Sequence, residues 1–519
     1  MTTAAPSRPR VIYIPEPSLE FGMGQQLEYP RDGLFLYGPV TTTADLATVR
    51  YGVIGTRDGV RRLRDWARSV SGLIGAPVPG PRSRGVEPQH VPFPGFSAAF
   101  GAQWPATPTH VIDDIDPAEI HRCLRIENRY EAVHATVDLY VKRLVTENNR
   151  IENPPAFWFV VIPDEVYELG RPLSRVRKAE RLAGNITISR GRARSLTIAP
   201  TLFEEENQQA EIYRYANHFR RQLKARLLGD KIITQIARET TLTPSEFARV
   251  DGRPLRPLQD PATVAWNMCT AAYYKAGGRP WQLANVRPGV CYVGLVYKQV
   301  NDLMSDRTHA VCAAQMFLTD GDGIVFRGAL GPWYDLDSRQ YHLDAAAARN
   351  LASLVVAEYS HQHGTPPSEL FIHARSSFTE EEWRGFLSAV PAETRLVGVQ
   401  IVRGSGLKLF RQGDYPVIRG TALQIDERSA YLWASGYVPR LDTYMGPETP
   451  NPLWIRVIRG ACPIETVLYD VLGLTKINFN SCVFNDGEPV TIRFADAVGD
   501  VLVAAPTDGE PRLPFKHYI

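Results

Sequence analysis

Cysteine is scarce in this sequence and unpaired. The six residues Cys123, Cys269, Cys291, Cys312, Cys462 and Cys482 are scattered, with no CxxC among them. That excludes a zinc ribbon and a disulfide framework, and it fits a reducing compartment. An excess of charge of either sign is also lacking. With 58 Lys and Arg against 56 Asp and Glu, the net charge is only +2. A nucleic-acid partner would therefore have to be held by a local basic groove, not by a global field. No apolar run reaches the roughly 18 residues of a membrane span, and Met1 to Arg10 contain no apolar signal-peptide core. These absences lead us to expect a soluble, cytoplasmic protein with no membrane partner. Repeats and low-complexity tracts are missing as well.

What is present is globular composition, 44% hydrophobic and 22% charged over 519 residues. That length suits two to four domains of roughly 100–200 residues each. The first stretch, to about residue 110, is rich in Pro and Gly, and residues 76–95 read as a long surface loop. Within it lie a strand candidate, Val49 to Ile54, and a basic amphipathic helix, Gly59 to Leu73. A long helix from Pro117 through Glu147 then precedes Ala156 to Ile162, a continuous apolar strand of the kind buried in parallel sheets. Residues 171–194 hold eight Lys and Arg against one acid, Glu180; a solvated face is the plain reading of such a run. Helix Ile212 to Leu228, strand Lys231 to Gln235 and helix Pro261 to Lys275 complete a Rossmann-like α/β layer.

After the turn Gly277-Gly-Arg-Pro-Trp281 the pattern changes. Strands Gly289 to Tyr297, Ala310 to Leu318 and Gly323 to Leu330 follow closely, the last two joined by the hairpin signal Asp320-Gly321-Asp322-Gly323. Helix Asp344 to Gln362, strand Glu369 to His373, helix Glu380 to Ala389 and strand Arg395 to Val402 come next. A three-stranded meander followed by helix–strand alternation is the order of an RNase H-like domain. The expected fold is thus α/β with two lobes, 1–283 and 284–519.

Chemistry gathers in two places. The chain ends Pro514-Phe-Lys-His-Tyr-Ile519, an apolar tail that would dock into the body and carry a carboxylate inward. Such a carboxylate needs a cation beside it; the alternative is an edge strand that finishes the core. Arg220 and Lys224, four apart, share one helix face. Gln235 ends the next strand candidate, and Lys275 closes a later helix. Converging from three elements, these groups would cradle a terminal phosphate. The carboxylate would repel that phosphate unless Mg²⁺ bridged the two. The alternative is an exposed basic helix. His361 and His363 read as a solvated helix end, and Asp320 and Asp322 as turn-formers. Arg375, Lys408 and Arg411 lie near strand ends, within reach of a nucleic-acid backbone.

Several segments carry a family resemblance: Glu16-Pro-Ser-Leu-Glu-Phe-Gly22, Pro30-Arg-Asp-Gly33, Gln222 to Leu228, Ala272 to Gly278, Arg287 to Tyr292 and Phe515 to Ile519. Together they resemble short prokaryotic Argonautes, most of all the Argonaute subunit of SPARTA systems, over essentially the whole chain. The resemblance implies a MID lobe binding the 5′-phosphate of a guide RNA through Arg220, Lys224, Gln235 and Lys275. It puts the Ile519 carboxylate on Mg²⁺. Arg220 departs from the Tyr or His common at the first of these positions. The resemblance also implies a PIWI lobe that cradles guide and target single-stranded DNA. Its catalytic acids would fall on Val296, Ser376 and Asn480, which cannot hold two metal ions. The expectation is a non-cutting sensor in a heterodimer with a TIR–APAZ chain, forming a tetramer of heterodimers that hydrolyses NAD⁺ during antiviral defence. A Sir2–APAZ partner and an active guided nuclease are the alternatives.

Overall fold

In the computed structural model, the described residues are 8–40, 46–77, 90–299, 310–317, 323–404, 406–444, 446, 448–506 and 512–519. The first lobe is built on four parallel strands in the spatial order His110–Ile112, Tyr51–Ile54, Phe157–Ile162 and Thr234–Arg238. All six residues of Phe157–Ile162 are buried, as a parallel strand covered on both faces requires. The mixed α/β layering matches the sequence expectation, with three local departures that have physical causes.

The expected long helix is two, Pro117–Leu124 and Arg129–Arg150. Asn128 breaks it: its side chain accepts from the amides of Tyr130 and Glu131, the start of a new helix. The helix expected from Ile212 begins at Phe219, because residues 215–218 turn away and the Ala216 amide donates to the carbonyl of Ala504. The strand expected at Lys231 to Gln235 starts three residues later. Lys231 adopts a left-handed φ of 56°, and pairing with Phe157–Ile162 sets the register from Thr234. Helices Pro261–Lys275 and Glu380–Ala389 fall where the sequence puts them.

The second lobe is a sheet of ten strands. Their order is Arg10–Tyr13, Thr421–Gln424, Ser429–Leu432, Leu453–Arg459, Arg395–Arg403, Glu369–Ala374, Val290–Gln299, Ala310–Phe317, Gly323–Gly331 and Leu513–Pro514. The antiparallel meander and the two parallel strands beside it have the RNase H-like arrangement. The hairpin turn at 320–322 lies outside the described residues. Strand Arg10–Tyr13 pairs with Thr421–Gln424, so the N-terminal segment belongs physically to this sheet although the division at 284 puts it in the first lobe. Helix Val490–Leu502 lies directly on the sheet. A Cβ at Gly294 would come within 1.9 Å of the Thr491 carbonyl, so only glycine permits that approach.

One hydrophobic core runs through both lobes, joining Tyr51, Phe159 and Trp266 to Val399, Val471 and Ile519. Phe479 wedges between Tyr274 and Trp281, with ring centroids 4.9 and 5.3 Å away. The Trp281 indole donates to the Lys476 carbonyl at 3.0 Å. The loop between the lobes is therefore packed in place. The tail completes this core. Leu513–Pro514 forms the edge strand beside Gly323–Gly331, and Tyr518 and Ile519 are buried.

Candidate functional site

Three elements and the tail meet at one cavity of about 550 Å³. Helix Phe219–Leu227 sends Arg220 and Lys224 into it from one face, strand Thr234–Arg238 sends Gln235, and helix Pro261–Lys275 ends there with Lys275. Ile519 closes the wall. All five groups that the sequence singles out thus line a single space. Lys224 is 3% exposed; its Nζ donates to the Thr234 carbonyl at 3.1 Å and to the main-chain oxygen of Ile519 at 2.5 Å. Lys275, 1% exposed, donates to Gln235 Oε1. Arg220 lies open to the cavity and, among the described residues, has no hydrogen-bond or ion-pair partner.

The electrostatics are one-sided. Burial, with Lys275 and Arg220 nearby, drives the Lys224 ammonium well below its ordinary pKa. Burial and Arg220 bring Lys275 down to about 7. His218, also in the wall, falls to about 4 through burial and then Arg221, Arg220 and Arg171. Burial disfavours the charged form of each of these nitrogens, and the neighbouring cations add to it. Asp500, the acidic side chain in the wall, is engaged by Arg221 at 2.6 Å and Lys298 at 3.2 Å, and Ile519 turns a main-chain oxygen to Lys224.

Sequence reasoning missed part of this wall. Tyr167 stands under Arg171 and Arg238, whose guanidinium carbons lie 3.3 and 3.8 Å from its ring centroid. Arg171 begins the basic run, which was the available signal; Tyr167, Arg221 and Asp500 carried none. Asn480, set by the sequence reading with Val296 and Ser376, lines this cavity.

Val296 is half-buried on Val290–Gln299 and packs against the core, and Ser376 follows the strand that contains buried His373. His373 Nδ1 lies 2.9 Å from Thr491 Oγ1. Among the described residues, no three His, Cys, Asp or Glu side chains gather as a metal site. Of the other basic candidates, Arg375 pairs with Asp496, Lys408 with the Thr449 carbonyl, and Arg411 with the Tyr415 carbonyl. His363 packs tilted against Tyr359 at the helix end, ring centroids 4.3 Å apart.

A divalent cation would find the main-chain oxygen of Ile519 and the Asn480 amide, but Lys224 already donates to Ile519, and Asp500 is held by Arg221 and Lys298. Mg²⁺ commonly sits on one or two carboxylates and completes its shell with phosphate and water. The residues fit an ion that arrives with a phosphate.

No protein-family model and no curated protein matches the sequence. Solved structures do match its fold. Clostridium butyricum Argonaute bound to a guide DNA and a 19-mer target DNA aligns over 98% of this chain and 55% of that one, with TM-score 0.58 and 13% identity. Aa-Ago with externally bound siRNA gives 0.55 at 12% identity over 98% of this chain and 56% of that one. Drosophila Piwi gives 0.54 at 11% over 96% and 55%. The chain spans about half the length of these proteins, and it has the α/β fold of the MID and PIWI lobes of Argonautes.

Proposed function

We propose that this chain is a guided nucleic-acid sensor. It takes the 5′-phosphate of a guide RNA into the cavity of Arg220, Lys224, Gln235 and Lys275, and presents the guide to complementary single-stranded DNA. The observation that carries this is the cavity's charge. Two fully enclosed lysines and an arginine open to the cavity face a space whose acidic side chain, Asp500, is already held by Arg221 and Lys298. Burying cations is costly unless an anion joins them, and a terminal phosphate supplies both charge and acceptors. When bound, Mg²⁺ would neutralise the repulsion between that phosphate and Ile519. Lys224 would hold the carboxylate and the phosphate together, with Gln235 orienting Lys275.

Beyond the cavity the protein would read backbone and duplex shape, leaving sequence to base pairing. Val296 and Ser376 offer no charged ligand, which supports a sensor that binds without cutting. A TIR–APAZ partner that hydrolyses NAD⁺ upon target binding remains part of the proposal on the sequence resemblance alone.

The test is affinity for 5′-phosphorylated against 5′-hydroxyl RNA, with Mg²⁺ and with EDTA. A phosphate preference of about tenfold or more, weakened by EDTA, is expected if one charge-assisted contact of roughly 1.5–3 kcal/mol is gained. Indifference to both would overturn the phosphate site, and metal-dependent cutting of a matched target would overturn the non-cutting part.

Protonation of Lys275 gives a second expectation. Its folded pKa of about 7 lies below its ordinary value of 10.5. Between those values the unfolded chain holds a proton that the free folded protein does not, so this group's contribution to stability rises with pH over that window. A bound phosphate requires the proton. Affinity should therefore fall from pH 7 to 9, by up to about 50-fold for one proton taken up. Calorimetry in buffers of different ionisation enthalpy checks this: Lys275→Gln should flatten the profile, and a profile unaltered by that substitution would sink the assignment.

A further inference from the structure

Helix Val490–Leu502 carries a face of acids that the phosphate cavity leaves largely unused. Asp500 holds Arg221, from the helix of Lys224, at 2.6 Å and Lys298, from the end of strand Val290–Gln299, at 3.2 Å. One turn earlier, Asp496 holds the same Lys298 at 3.1 Å and Arg375 at 2.8 Å. Just before the helix, Glu488 holds Arg403 at 2.7 Å and stands 3.9 Å from Arg375. Four cations from four separate parts of the fold are thus strung on three carboxylates without a break.

The row begins in the cavity wall, to which Arg221 and Asp500 belong. It ends beside the C-terminus of strand Arg395–Arg403. Within the helix, Val490 to Asp500 spans about 15 Å at the helical rise, roughly four nucleotides of strand. The lysine is seated in a prepared groove: a Cβ at Gly499 would come within 2.5 Å of Lys298 Cγ, so glycine here lets the side chain cross the helix between the two aspartates. Arg375 and Arg403 are exposed, at 52 and 72%.

Ion pairs with an exposed member hold their partners weakly, and Arg375 and Arg403 are exposed although Glu488 is buried, so a phosphate can compete with these carboxylates for the two arginines at modest cost. The order of events then depends on concentration. A free strand must compete with carboxylates that are permanently in place. A strand already anchored by its terminal phosphate presents its next phosphates at an effective concentration in the millimolar range. We propose that Arg221, Lys298, Arg375 and Arg403 form a track for phosphodiester backbone, kept closed by Asp500, Asp496 and Glu488 and opened by a strand anchored in the cavity. The proposal rests on the phosphate-cavity reading and adds a reason why unanchored strands are refused.

The experiment measures binding of 5′-hydroxyl and 5′-phosphorylated single strands of one sequence across a salt series, using the full chain. The variants are Asp496→Asn and Glu488→Gln, neither of which lines the cavity, each checked by thermal melting. Freeing cations should tighten the 5′-hydroxyl strand by about three- to tenfold, the worth of one or two such pairs. The phosphorylated strand should gain less, so the phosphate preference shrinks. The salt dependence should steepen by about 0.7 per freed contact, as for single strands generally. Adding both Lys298→Gln and Arg375→Gln, the two cations that Asp496 holds, to Asp496→Asn should remove the gain. If phosphate preference is intact in wild type and both variants leave affinity and salt slope unaltered, the track is overturned and the cavity stands. If wild type has no phosphate preference, the anchoring step falls together with the cavity reading.

Discussion

Replacing Lys224 by alanine is expected to abolish the preference for a 5′-phosphorylated strand while leaving binding of a 5′-hydroxyl strand almost unaltered. Truncating one member of a buried, hydrogen-bonded charge pair costs about 2–5 kcal/mol, which is roughly 30-fold to several thousandfold in affinity. Lys224 belongs in that class because its Nζ is enclosed and already fixed by the Thr234 carbonyl and Ile519. The ammonium needs no reordering to meet a ligand, so little of its interaction energy goes into entropy. Lys224→Met separates charge from packing, since it fills the same space without the charge. Fluorescence anisotropy with the two strands reads the effect. A Lys224→Met protein that melts like wild type yet keeps its phosphate preference would remove the cavity from consideration.

The second large effect concerns stability. Glu16→Ala is expected to destabilise the protein by about 3–5 kcal/mol, the cost of stripping one partner from a buried ionic network. Glu16 accepts from Arg419 Nε at 2.8 Å and from Lys476 Nζ at 2.7 Å. Arg419 is 2% exposed and Lys476 1%. Burial alone would raise the Glu16 pKa, but Arg419 and then Lys476 outweigh it and hold the group below its ordinary value. Its contribution is therefore present above the usual carboxylate range and is lost as acidification protonates the folded form. Urea unfolding at neutral pH measures the loss, and Glu16→Gln should cost less because it keeps an acceptor. A change under about 1 kcal/mol for Glu16→Ala would mean that water replaces the carboxylate, as it does at exposed pairs.

This network explains why the Pro-rich start of the chain belongs with the second lobe. Glu16 reaches residues more than 400 positions away, and Arg10–Tyr13 pairs with Thr421–Gln424. Composition had marked the region only as rich in Pro and Gly. Hydrogen bonds to distant partners leave no local pattern to read.

Where hydrogen bonding is local, the sequence was enough. Helices Pro261–Lys275 and Glu380–Ala389 have their bounds written in Asp260 and Thr379, whose side chains accept from amides three residues on. Asn128 carries the same signal, and its cap starts a second helix inside one long periodic stretch. The apolar run at Phe157–Ile162 announced a buried parallel strand because both of its faces must be covered. The sequence determined as much of the site as lies within single elements: Arg220 and Lys224 on one helix face, Lys275 at a helix end, and an apolar tail needing a place inside. Only the tertiary structure decided that these meet in one cavity, that Asn480 and Asp500 join them, and that two acids of one helix, with Glu488 just before it, hold four cations from elsewhere in the fold. The reason is physical. Periodicity and capping act over a few residues and are local in the chain, whereas the field at a buried ammonium depends on every charge within several ångströms, whichever part of the chain supplies it.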